Sequence, residues 1–154
     1  MGGPSQPLRS PLDEATASCP SPPLTGGCNP GRILGRVLAI DHIQLAAPTG
    51  CEEAARRFFG ELLGLEEIPK PEPIRARGGV WFRVGEHELL IGVEPDFARA
   101  RKAHPAFRTD GYDQLRERLV AGGVEVIDDD AILGVRRCFV ADPWGNRIEL
   151  ISAE

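Results

Sequence analysis

Hydrophobic and polar positions along the first half of the chain follow two different periods. Residues 37–46 are apolar and rich in β-branched side chains, and turn-forming residues follow them directly, so the segment predicts a β-strand. Side chains alternate between the two faces of a strand, so His42, Gln44 and Ala46 share one face. Residues 51–64 instead repeat apolar positions at helical spacing and end in a glycine, which is typical of a helix C-terminus.

The order of predicted elements is then repeated. After the helix, short apolar segments predict three strands, in residues 65–69, 80–84 and 88–94. The last two of these strands are predicted to form a hairpin. The second half predicts a strand, a helix, a strand and a closing hairpin, in residues 102–109, 111–123, 124–128 and 135–152. This repeat predicts an α+β fold of two βαβββ modules, about residues 37–97 and 100–152, in one domain of residues 35–154. Apposing the sheet faces that no helix covers would give a cupped mixed sheet.

Residues 1–34 lack this periodicity and are rich in Pro, Gly and Ser. A segment of this composition offers too little apolar surface to offset the entropy of ordering the chain. We therefore expect a disordered tail, or sequence that precedes the native start, and the fold prediction leaves it out.

Composition narrows the class of protein further. The chain has 154 residues, of which 42% are hydrophobic and 27% charged, as is ordinary for one soluble domain. A net charge of −5 and the lack of basic residues interleaved with aromatic ones argue against nucleic-acid binding, and no apolar run is long enough for a membrane span. The N-terminal residues do not have the pattern expected of a secretory signal, and the 4 cysteines contain no CxxC pair, so the chain is predicted to be cytoplasmic.

Three residues on the predicted strands form a candidate metal site. They are His42 on the first strand of module one, His104 on the matching strand of module two, and Glu149 on the last strand. Two imidazole nitrogens and a carboxylate oxygen, brought together in the cup, suit Fe(II), Mn, Zn or Ni and leave coordination positions for a substrate. In the structural alternative no metal is bound, the histidines are hydrogen-bonded framework residues, and Glu149 pairs with Arg147 or Arg108.

Four segments, AIDHIQLAA, FFGELLGLE, KAHPAFRT and DPWGNRIELI, occur in an order that resembles the vicinal oxygen chelate superfamily. This superfamily includes glyoxalase I, extradiol dioxygenases, methylmalonyl-CoA epimerase, and the fosfomycin and bleomycin resistance proteins. The resemblance spans residues 37–151, and the Asp-Pro-x-Gly-Asn turn before the last strand is its most specific part. It implies a glyoxalase/dioxygenase-like fold, a homodimer, and metal ligands on the first, fifth and eighth strands, which here are His42, His104 and Glu149.

The fourth strand departs from the pattern of the glyoxalases, which have an additional glutamate ligand there. Leu90 stands at this position, whereas a shifted register would offer Glu88 instead. With Leu90 the site keeps three ligands, as in the extradiol dioxygenases, and this departure argues against glyoxalase I activity.

The resemblance implies a metal-dependent enzyme, either a lyase or isomerase or a dioxygenase, whose metal binds two neighbouring oxygens of a small-molecule substrate. Glu149 would then belong to the catalytic centre, and Gln44, Trp81, Arg83 and Arg108 are the candidate substrate-binding residues. The alternative is a metal-free protein that sequesters a small molecule or drug, as the bleomycin resistance proteins do. Metal content distinguishes the two functions.

Overall fold

The computed structural model describes residues 37–154, so the prediction for residues 1–34 lies outside the described part of the chain. The first sheet contains β1 (His42–Ala47), β2 (Glu66–Ile68), β3 (Val80–Val84) and β4 (His87–Val93). The second contains β5 (Ala106–Thr109), β6 (Ile127–Asp129), β7 (Arg137–Ala141) and β8 (Arg147–Ser152). The strand orders are β1-β4-β3-β2 and β5-β8-β7-β6, with only β1–β4 and β5–β8 parallel. The predicted α+β class with a doubled module is therefore confirmed.

The first helical segment contains two kinds of helix. A short α-helix, α1 (Glu52–Ala55), continues directly as a π-helix over Arg56–Leu62. In the wider turn, the backbone N–H of Leu63 donates to the carbonyl of Phe58, five residues earlier. Two adjacent aromatic residues, Phe58 and Phe59, are both buried there, and their ring centroids lie 5.0 Å apart. The predicted helix is therefore present, and the local widening of its second part is a feature that helical spacing alone does not reveal.

The hydrophobic core lies on the helix-covered faces of both sheets. It joins the π-helix, α2 (Tyr112–Ala121) and the inner faces of the two modules, including Phe59, Phe82, Leu119 and Ile148. The opposite faces carry exposed side chains, including those of Gln44, Arg83 and Arg108. The expected closure of these uncovered faces over one another is therefore not found between the modules of the described chain. Each sheet keeps one open face.

A loop strap, which we define as residues 69–79, crosses the start of α1 and contains a 3-10 helix over Glu72–Arg77. The backbone N–H of Gly79 donates to Glu52 Oε1 at 2.7 Å, and the Lys70 ammonium donates to the carbonyl of Gly78. The hydrogen bond from Gly79 lowers the pKa of the Glu52 carboxyl. The hydrogen bond from the Gly79 backbone to Glu52 thus connects the loop strap to α1.

The turn between β7 and β8 is organised around the buried carboxylate of Asp142. Its Oδ1 accepts from the backbone N–H groups of Trp144 and Asn146, and its Oδ2 accepts from Asn146 Nδ2 at 2.7 Å. The same amide donates to the carbonyl of Ala46 in β1 at 2.8 Å, which connects the two modules. Burial raises the pKa of Asp142 even though these donors oppose the shift. The Asp-Pro-Trp-Gly-Asn segment is therefore a structural joint between the modules.

We expect Asp142→Ala to lower the free energy of unfolding by about 2–4 kcal/mol, because it leaves two backbone donors and the Asn146 amide without their acceptor. Urea denaturation at a fixed protein concentration measures the loss. Asp96→Ala is the matched control, since Asp96 is exposed, and it should change stability by less than about 0.5 kcal/mol. Equal effects of the two substitutions would contradict the structural role of the turn.

None of the helices in residues 37–154 is long and apolar enough to cross a membrane.

Candidate metal centre

The strand registers relate the two modules residue by residue. His42 lies two positions before Gln44, which pairs with Leu90 on the parallel neighbour β4. His104 likewise lies two positions before Ala106, and Ala106 pairs with Glu149 on the parallel neighbour β8. Paired residues point to the same face of a sheet, so each histidine faces the open side of its own module.

By this correspondence Leu90 in module one occupies the position that Glu149 holds in module two. Glu88 is instead paired with His42 itself, on the same face, and also lies opposite Arg83 of β3. Module one thus presents an imidazole without the carboxylate of module two at the equivalent position.

His104 and Glu149 lie together on the open face of the second sheet. The His104 Nδ1 lies 2.7 Å from the carbonyl oxygen of Lys102, and His104 Nε2 lies 3.3 Å from Glu149 Oε2. A carbonyl only accepts, so Nδ1 carries a proton; in a neutral ring Nε2 then presents a lone pair to the carboxylate. Two acceptors this close require a proton or a cation between them. A ring nitrogen fixed by a backbone carbonyl on its far side is also the usual arrangement of a metal-binding histidine.

Arg137, which was not among the predicted site residues, holds the other oxygen of Glu149. Its Nη1 donates to Glu149 Oε1 at 2.7 Å, and its Nη2 donates to Asp129 Oδ1 at 2.8 Å. The hydrogen bond to Glu149 and then that to Asp129 raise the pKa of Arg137, which keeps the guanidinium charged. The ion pair of the structural alternative therefore exists, but with Arg137 rather than with Arg147 or Arg108.

Arg147 and Arg108, the two predicted partners of Glu149, do not bind it. The Arg147 guanidinium lies 3.7 Å from the ring centroid of Phe139, and Arg108 is exposed on β5. The alternation along β7 does place Arg137, Phe139 and Ala141 on one face, so period 2 alone could have indicated Arg137. Which of several arginines reaches Glu149 depends on the β7–β8 register, which the sequence leaves open.

His42 lies apart from this pair in the single chain. Its side chain is 48% exposed, and its Nδ1 lies 2.8 Å from Asp41 Oδ1. Within residues 37–154, no group of three or more His, Cys, Asp or Glu side chains is close enough to hold a metal ion. The structure thus brings together two of the three predicted ligands, His104 and Glu149.

The candidate substrate-binding residues are divided between the two open faces. Gln44 crosses toward Gly92, Trp81 is half-buried beside Leu90, and Arg83 is exposed; all three share the face of His42. Arg108 shares the face of Glu149 instead, through the pairing of β5 with β8. A ligand in contact with all four side chains would have to bridge the two kinds of face.

Comparison with known proteins adds a family context to this geometry. The model of the glyoxalase/bleomycin resistance protein/dioxygenase superfamily matches residues 39–150. A glyoxalase family protein from Bacillus anthracis is 51% identical in a match that covers 77% of this chain and 98% of that chain, with a TM-score of 0.74. Lactoylglutathione lyase from Agrobacterium tumefaciens and the fosfomycin resistance protein FosX from Listeria monocytogenes are 23% and 20% identical, with TM-scores of 0.60 and 0.61. Each of those matches covers 77% of this chain and 96% of the other, and the likeness is one of fold alone. No curated protein matches the chain significantly in sequence.

Proposed function

The chain belongs to the glyoxalase/bleomycin resistance protein/dioxygenase superfamily, and from this we propose that it is a metal-dependent enzyme that acts on a small molecule with two neighbouring oxygen atoms. His104 and Glu149 would hold a divalent metal, Fe, Mn, Zn or Ni, together with His42. Bound there, the metal would supply Lewis-acid or redox chemistry at the substrate oxygens. The predicted cytoplasmic location stays a prediction.

The observation that carries this proposal is the facing of His104 Nε2 and Glu149 Oε2 at 3.3 Å, with the proton of the ring committed to the Lys102 carbonyl. This arrangement directs a nitrogen lone pair and a carboxylate oxygen at the same point. Glu149 is 7% exposed and Arg137 holds its Oε1, so Oε2 is the carboxylate oxygen that remains for a metal beside His104. A divalent cation at this point would use both donor atoms at once.

A second copy of the chain would complete the site. His42 lies on the open face of module one at the position that corresponds to His104 in module two, so two copies related by a two-fold axis can appose these faces twice. Each interface would then contain His42 of one copy and His104 with Glu149 of the other. The predicted homodimer and the predicted ligand set are in this way parts of one proposal.

The other residues of the open faces would bind and orient the substrate. Gln44 and Arg83 present polar groups on the face of His42, and Trp81 offers an apolar surface there. Arg108 is an exposed donor on the same face as Glu149, opposite Ile151. Arg137 would act on Glu149 alone, since its bond to Oε1 fixes the carboxylate with Oε2 turned toward His104. Apposed faces of this kind would also exclude water from the bound substrate.

One observation favours the second candidate function, metal-free sequestration of a small molecule. The Arg137 guanidinium already compensates the charge of Glu149, and an imidazolium at His104 would satisfy Oε2 without any metal. The apposed faces would then form a binding cavity with no reaction centre.

Elemental analysis by mass spectrometry separates these two functions. We expect the protein purified without chelator to contain about one divalent metal per chain, and His104→Ala to lower that content at least about tenfold, because one of three ligands is lost. His87→Ala is the matched control, since His87 is exposed at the start of β4 and faces away from the open side. A native protein without metal, or a metal content that His104→Ala leaves unchanged, would support sequestration instead.

A further inference from the structure

A groove runs between the two modules beside the candidate metal centre, which it adjoins at Phe139, whose ring centroid lies 5.5 Å from that of His104. It has a volume of about 740 Å³, which lies in the range of small-molecule sites. One wall comes from the first helical segment, with Phe58 and Leu62, and the other from the second sheet and its turn, with Phe139 and Pro143. Neither His104 nor Glu149 lines the groove. Its floor is apolar, so it can accept the hydrophobic body of a ligand.

Four arginines surround this floor: Arg57 on the π-helix, Arg99 and Arg101 in the segment between the modules, and Arg147 on β8. Among the described residues none of the four donates to a carboxylate, unlike Arg56, Arg116 or Arg137 elsewhere in the chain. The groove is therefore a local concentration of positive charge in a protein whose net charge is −5.

The acidic residues of the groove do not neutralise these arginines. Asp142 is 4% exposed, and its carboxylate is occupied by the N–H groups of its own turn. Glu125 is the other acidic residue of the wall. At least two of the four positive charges are thus left to attract an anion.

The guanidinium groups are also held near the groove by packing. Arg99 lies directly over Gly145, where a β-carbon would come within 3.0 Å of Arg99 Cδ. Arg147 is held over the ring of Phe139, with 3.7 Å between its guanidinium carbon and the ring centroid. Arginines positioned before a ligand arrives lose less side-chain entropy when they bind it.

We propose that this groove binds an organic anion that has an apolar body and a carboxylate or phosphate group. The apolar part would lie against Phe58 and Phe139, and the anionic group would accept hydrogen bonds from Arg57 and Arg99. This site goes beyond the proposed metal centre and does not require a bound metal. Simple inorganic anions would bind weakly, because they cannot use the apolar floor.

Calorimetric titration of the full chain, treated with EDTA and dialysed, tests the proposal with small probes. We expect phenylacetate and phenyl phosphate to bind saturably, and neutral phenylacetamide and inorganic phosphate to bind at least about tenfold more weakly. Whichever of the two aromatic anions binds more tightly identifies the preferred group, carboxylate or phosphate. Increasing salt should weaken both, since the arginines are largely exposed.

The double variant Arg57→Gln/Arg99→Gln should weaken binding of both aromatic anions at least about tenfold. The control Arg75→Gln/Arg77→Gln removes the same charge from the loop strap, outside the groove, and should bind like the native protein. Phenylacetamide that binds as tightly as phenylacetate, groove variants that bind normally, or no saturable binding of either anion would overturn the proposal. Neither variant alters a candidate metal ligand, so the metal content of the groove variant should stay native whatever the outcome for the proposed enzyme.

Discussion

Equal amounts of His42→Ala and Glu149→Ala protein, mixed and allowed to exchange subunits, should recover about a quarter of the native metal content, although each variant alone has almost none. The recovery follows from the placement of His42 on one module and of His104 with Glu149 on the other. In a mixed dimer one interface carries both substitutions and the other carries neither. Half of the dimers are mixed, and each of these has one intact site out of two.

A second mixture provides the control. His104→Ala and Glu149→Ala alter the same module, so every interface in their mixed dimer lacks one ligand, and no metal should return. Native mass spectrometry of each mixture, with an affinity tag on one of the two variants, verifies that mixed dimers form. If the first mixture recovers nothing while the native protein binds metal, the ligands come from one chain and the proposed division between copies is wrong.

The sequence predicted the doubled module because each module repeats the same change of period, from 2 in the first strand to 3.6 in the helix. The boundaries were less accurate where apolar residues are exposed in the described part of the chain. Residues 37–46 predicted one strand, yet β1 begins at His42, and Val37, Leu38 and Ile40 are exposed. An apolar pattern indicates that a surface will be covered, but not which surface covers it.

The same limit applies to the candidate site. Period 2 correctly placed His42 and Gln44 on one face, because alternation is local. The partner of Glu149 depends instead on the register of β7 and β8. Arg137 has the same guanidinium group as the other arginines nearby, and only its position allows it to bind Glu149. The packing of the two modules against each other depends on residues even farther apart in the sequence, because both helical segments are buried in one core. Sequence periodicity thus predicted the faces but not what they contact.

We expect Gly79→Ala to lower the free energy of unfolding by about 3–5 kcal/mol, the largest stability effect predicted for a single methyl group in this chain. Gly79 has a φ of +79°, and a β-carbon at this position would lie 2.1 Å from the carbonyl oxygen of Ile91 in β4. Backbone cannot yield as a flexible side chain does, so the strap must move away from the sheet. The hydrogen bond from Gly79 N–H to Glu52 would be lost with that movement.

Gly50→Ala isolates the contribution of this contact. Gly50 has nearly the same φ, +80°, but no atom lies within 4 Å of an added β-carbon. It should therefore lose only the roughly 1–2 kcal/mol that a left-handed conformation costs a residue with a side chain. Urea denaturation of both variants at one protein concentration gives the difference, which removes the conformational cost common to the two sites. Because the strap reaches α1 through Glu52 and β4 through Ile91, a difference near zero would mean that these contacts do not hold it in place.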